Sequence, residues 1–132
     1  MRSLILLLVF VTAAFSSKAQ KAEWKEIKAF HTVMSKTFHP VEENNFQPLK
    51  NNAASLLNAA KAWNKSAVPE GYNKKTIKPV LKRLVAECKE LNKAVEAGKP
   101  DAELKQLITK AHDTFHELTE KCNGGEEEHK QH

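Results

Sequence analysis

The side chains of this chain best suited to chemistry are His112 and His116 near its end, and His31 and Met34 far upstream. His112 and His116 stand four residues apart. On a helix that spacing lets two ring nitrogens reach one ion. His31 and Met34 are three apart, again one face of a helix. Neutral imidazole binds zinc, copper and nickel, and a thioether adds a preference for copper, especially Cu(I). Asp113 and Glu117 are placed to orient the rings as hydrogen-bond acceptors. The distribution strengthens the pattern. Of six histidines, His31, His39, His112 and His116 fall on or beside the first and last helical segments, and His129 and His132 in the final residues. The two middle segments have none. A plainer reading competes: a His-x-x-x-His flank in water, Met34 in the core, and His31 bonded to a carbonyl, Asn52 or Ser55.

Four segments must position these groups. Trp24, Ile27, His31, Met34 and Phe38 step by three and four, which predicts one stripe on a first helix. Pro40 disfavours helical geometry at His39, so this helix is expected to stop near Phe38 or His39. His39 then reads as a helix-end residue, with Glu42 and Glu43 nearby. Asn44 or Asn45 is expected to cap the second helix, whose stripe is Phe46, Leu49, Ala53, Leu56, Ala60 and Trp63. Pro48 suits its first turn. Residues 66–73, with Pro69 and Gly71, form the longest connection. Ile77, Leu81, Leu84, Cys88, Leu91 and Val95 mark the third helix, with Pro79 in an early turn. Gly98 fits a C-terminal cap before a tight turn through Pro100. Leu104, Ile108, Ala111, Phe115, Leu118 and Cys122 mark the fourth. There is no strand pattern and no short internal repeat. The fold class expected is all-α, an up-down-up-down four-helix bundle.

The 132 residues, 41% of them hydrophobic, fit one modest domain. Residues 1–19 read as a cleaved signal peptide: Arg2, an apolar run over 4–15, then Ser17-Lys18-Ala19 before cleavage at Gln20. That run is too short for a membrane span. The bundle is assigned to 20–123, and 124–132 to a disordered tail. A periplasmic or secreted location follows, with no integral membrane segment in the mature chain. Cleavage removes Arg2 and Lys18 from 21 basic residues set against 16 acidic ones. The mild remaining charge, with Lys and Glu mixed along the helices, reads as solvated faces and not as a nucleic-acid footprint.

Cys88 and Cys122 enter a compartment that permits disulfides. Counting residues across the turn at 98–101 sets them on the order of 16 Å apart along the axis. A disulfide needs Cα atoms within about 7 Å, so no internal bridge is expected. Cys122, near a helix end, is open to three readings: a reactive thiol, the cross-link of a homodimer, or no role.

In an up-down-up-down bundle the first and last helices are neighbours. Measured from the shared end, His31 and His112 lie roughly 12 and 16 Å deep, so three imidazoles and Met34 can meet. The expected function is a non-catalytic exported protein that binds copper, zinc or nickel through His31, Met34, His112 and His116. No enzyme signature competes. There is no pair of Glu-x-x-His motifs for a di-iron site, no nucleophile–base pairing and no Gly-rich phosphate loop.

The run LNKAVEAG at 91–98 and the segment Ala111-His112-Asp113-Thr114-Phe115 resemble the cytochrome c-prime superfamily and its soluble b-type relatives, exported four-helix bundles that hold haem. The resemblance implies non-covalent haem b, with Met34 and His112 as axial ligands and electron transfer as the function. Ile108 and Ala111 stand where c-type members carry cysteines, so covalent attachment is not expected. A structural or partner-binding bundle without a ligand is the third reading.

Overall fold

The computed structural model of the protein describes residues 22–123. The expected signal peptide, the expected tail and its two histidines lie outside the described residues. Four helices follow in order: α1 Lys25–Glu42, α2 Gln47–Lys65, α3 Lys74–Glu96 and α4 Asp101–Asn123. The described residues contain no strand. Each helix packs on its chain neighbours, and α1 also meets α4, so the four form a closed square, with Trp63 of α2 meeting Phe115 of α4 across its centre. This is the expected up-down-up-down bundle.

The α2, α3 and α4 stripes are buried at nearly every position read from the sequence. Leu49, Leu56, Trp63, Ile77, Leu81, Leu84, Leu91, Leu104, Ile108 and Leu118 are fully enclosed. On α1 the register differs from expectation. Its buried face is Phe30, Met34, Thr37 and Val41, while His31 is exposed and Phe38 half-buried. Both stripes have helical spacing. The buried one is hidden in the sequence because it carries a threonine. Thr37 is tolerated there because its hydroxyl donates to the Val33 and Met34 carbonyls, both at 3.0 Å.

α1 also runs past its expected end, through Pro40 to Glu42. A proline in the last turn forfeits one amide bond, and burial of Val41 at 1% exposure supplies a reason to continue. The end that follows is a Schellman turn. The Asn45 amide donates to the Pro40 carbonyl at 2.8 Å and the Asn44 amide to the Val41 carbonyl at 3.0 Å. Asn44 takes the left-handed conformation this needs, with φ 61°. It therefore closes α1 instead of opening α2. Asn45 does serve α2, its side chain accepting from the Gln47 amide at 3.3 Å. α3 ends in the same way at Gly98, with Lys99 donating to the Ala94 carbonyl at 3.0 Å. Two matched turns thus close the same end of the bundle.

α1 and α4 approach each other least intimately of the four adjacent pairs. The opposite end of α1 is fastened elsewhere. Trp24 Nε1 donates to Ser66 Oγ at 2.8 Å, and the Tyr72 hydroxyl donates to the Ala22 carbonyl at 3.1 Å. The seam between the first and last helices is left partly open, and the histidines lie along it.

Candidate metal centre

A helix rises about 1.5 Å per residue. With α1 ending at Glu42, His31 lies eleven residues from that end, and His112 lies eleven residues from Asp101 at the start of α4. The ring contacts set the register across the seam: His112 faces Phe38 and His31 faces Phe115, so His31 lies deeper than His112 by about one turn. The seam holds a cavity of about 140 Å³ at this level. α1 lines it with His31, Met34, Phe38 and His39, and α4 with His112, Phe115 and His116. All four expected site residues therefore border one space.

The tightest element is the α4 pair. His112 Nε2 and His116 Nε2 are 3.1 Å apart, with the ring planes at 81°. In the neutral forms one ring donates to the other. Two nitrogens each about 2.0–2.1 Å from a single ion also sit about 3 Å apart. The same geometry suits a shared proton or a shared metal. Burial, then the neighbouring His116, hold the His112 imidazole below its ordinary pKa. His112 is thus kept neutral, the form that ligates.

The ring of His112 is held by an aromatic shelf. Phe38 lies face to face with it, centroids 3.7 Å apart and planes within 8°. Sequence reasoning missed this residue, having treated Phe38 as core. Its signal was available: Phe38 is four residues from Met34 and seven from His31, on one flank of α1. The expected acceptors do not orient the rings. Asp113 Oδ1 is 4.0 Å from His112 Nδ1, beyond hydrogen-bonding range. Glu117 is engaged by Arg83 of α3 instead.

The remaining groups surround the pair more loosely. Met34 is 1% exposed and floors the cavity. His31 stacks on Phe115, planes within 15° and centroids 5.7 Å apart. His39, read from sequence as a helix-end residue, borders the cavity because α1 continues beyond it. Its Nδ1 lies 3.5 Å from Glu42 Oε2. Among the described residues no three His, Cys, Asp or Glu side chains converge closely enough to hold an ion together. The preformed unit is the two-histidine clip, with His31 and His39 on exposed rotamers around it.

Below the cavity the seam widens into a groove of about 500 Å³ that shares His31, Phe115 and His116. Trp24, Ile27 and Tyr72 give it an apolar wall. Cys88 and Cys122 are both buried, and no disulfide joins them. Cys122 is 2% exposed, so the expected surface thiol for a dimer cross-link is not offered. It packs inward because it falls on the same stripe as Leu118 and Phe115. No helix among the described residues is long and apolar enough to cross a membrane.

The chain matches no protein-family model, no curated protein and no solved structure.

Proposed function

We propose that this protein binds a single transition-metal ion, copper, zinc or nickel, in an exported and non-catalytic role. The observation that carries the reading is the 3.1 Å separation of His112 Nε2 and His116 Nε2 at the wall of a cavity bordered by two further histidines and Met34. His112 and His116 are the primary ligands. Met34 supplies a thioether from the opposite wall, favouring Cu(I) over the harder ions. His31 completes the set by a side-chain rotation, which for an exposed residue takes picoseconds to nanoseconds. Storage or buffering of the ion fits this arrangement.

The cytochrome-like reading places haem b between Met34 and His112. The space between those residues favours an ion, because ligand pockets for organic groups run to roughly 300–1,000 Å³ and this cavity holds about 140 Å³. One experiment separates the readings. The purified protein is loaded with Cu(I), Cu(II), Zn(II) and Ni(II) in turn, and separately with haem, and followed by calorimetry, metal analysis and visible absorption. One equivalent of ion bound tightly, and reduced at least a hundredfold by His112→Ala with an unchanged far-ultraviolet circular dichroism spectrum, is the expected result. A Soret band that depends on Met34 and His112, with no stoichiometric ion, would replace this reading by the cytochrome one. Binding of neither would leave a bundle without a ligand.

A further inference from the structure

The charges of the bundle are unevenly shared. Between Gln47 and Ala86 the chain carries eight basic residues and a single acid, Glu70. The mixing of Lys and Glu expected from sequence holds for α1, α4 and the later part of α3, but not here. Two of the eight are spent in ion pairs: Lys50 Nζ with Asp101 at 3.0 Å, and Arg83 with Glu87 and Glu117. The other six are Lys61, Lys65, Lys74, Lys75, Lys78 and Lys82. None of them joins an ion pair among the described residues.

These six form one patch. Lys78 Nζ reaches the side-chain and main-chain oxygens of Asn64, which fixes where α3 faces α2. Lys61 and Lys65 flank Asn64 within one turn of α2. Lys74, Lys75 and Lys82 flank Lys78 within about one turn of α3. Lys74, Lys78 and Lys82 follow one another at roughly 6 Å along the axis, each step inside the Debye length of about 8 Å in physiological salt. The six charges therefore act on a partner nearly as one. All but Lys78 are exposed.

We infer that the α2/α3 face docks on an anionic lipid surface. The chemistry of the patch favours headgroups over nucleic acid. Arg83 is the single arginine among the described residues and is already paired, so no guanidinium fork is offered to phosphates or base edges. No exposed aromatic ring stands among the lysines for base stacking; Trp63 is enclosed. The exposed neighbours Ala62, Thr76 and Pro79 are small. What remains is a low surface of compact ammonium groups on flexible stems, suited to a plane of mobile monovalent headgroups. No described helix is apolar enough to insert, so the association is peripheral. In the square arrangement this face lies opposite the α1/α4 seam. A docked molecule presents its histidines to the solvent.

The test is co-sedimentation of the purified protein with vesicles of phosphatidylcholine, with and without about one-third phosphatidylglycerol. Binding to the anionic vesicles alone, abolished by high salt, is expected. The variant Lys61→Glu, Lys65→Glu, Lys75→Glu, Lys82→Glu should lose at least tenfold in partitioning while keeping its circular dichroism spectrum. A control carrying four reversals elsewhere, Lys36→Glu, Lys99→Glu, Lys105→Glu and Lys121→Glu, should stay within about twofold of the parent. Equal loss in both variants would reduce the effect to net charge and overturn the inference. So would equal binding to neutral vesicles, no binding at low salt, or tighter binding to duplex DNA or polyglutamate at the same ionic strength.

Discussion

On the proposed reading His112 is the residue on which the chemistry turns, and its environment makes two measurable demands. Burial, then His116, depress its pKa. The folded chain therefore takes up this proton later than the unfolded chain as pH falls. The stability His112 contributes is complete above about pH 6.5, the unperturbed histidine value, and is lost as pH drops through the lower folded value. Thermal melts of the metal-free protein should accordingly be flat from pH 8 down to about 6.5 and decline below it, with a shallower decline in His112→Gln. Phe38 makes the second demand. Its ring fixes the plane of His112 at 3.7 Å, so Phe38→Ala should weaken ion binding about tenfold or more, on the scale of lost positioning contacts to a metal ligand. Phe38→Trp should restore most of it, and calorimetry on the two variants checks the claim.

At the scale of elements, α3 and α4 are held by a polar contact as well as by the core. Glu87 is 5% exposed, and its two carboxylate oxygens accept from Thr114 Oγ1 at 2.8 and 3.0 Å. Burial raises the Glu87 pKa, against the pull of the Thr114 bond and of Lys110 and Arg83. A raised carboxyl pKa adds stability below the unfolded value and loses it as pH rises through the folded one. Thr114→Val removes the donor and keeps the shape. It should cost about 1–3 kcal/mol near neutral pH, measured by urea unfolding, and less in acid, where Glu87 is protonated.

The elements themselves were largely legible. Three of four stripes follow from apolar spacing, because leucine and isoleucine at three- and four-residue steps have no other way to be buried together. The exception, α1, shows what spacing cannot weigh. A threonine bonded to its own helix passes for surface, and a histidine beside Met34 passes for core. Pro40 misled for a similar reason: its local preference was outweighed by Val41 in the core. The site was legible as a set of residues and only partly as a geometry. His112 and His116 follow from a spacing of four. The reach of His39 depended on where α1 stops, the role expected for Glu117 on a partner from α3 that no local pattern reveals, and that of Asp113 on a side chain that turns to solvent.

For the whole molecule, enclosure extends to the cysteines. Cys88 has no exposed surface, and burial pushes its thiol up to about 12. The thiolate is the reactive species. Cys88 should therefore resist alkylation in the native protein for as long as the bundle stays folded, and react at the rate of an ordinary thiol in denaturant. Mass spectrometry of iodoacetamide-treated samples, with peptide mapping to Cys88, reads this directly. Early labelling would mean that the core opens far more often than its packing suggests.

The bonds from Trp24 to Ser66 and from Tyr72 to Ala22 tie the beginning of α1 to the connection between α2 and α3. α1 thus belongs mechanically with α2, while Glu87 and Thr114 bind α3 to α4. Across the α1/α4 seam the joints are rings: Phe30 and His31 meet Phe115, and Phe38 meets His112. His112 and His116 share one helix and owe their spacing to it, with Phe38 bracing the first ring from the facing helix. On the proposed reading, an incoming ion is first gripped by that pair and only then reached by Met34 and a turned His31 from the facing helix, so its uptake proceeds in two kinetic phases, and only the second is lost in Met34→Leu.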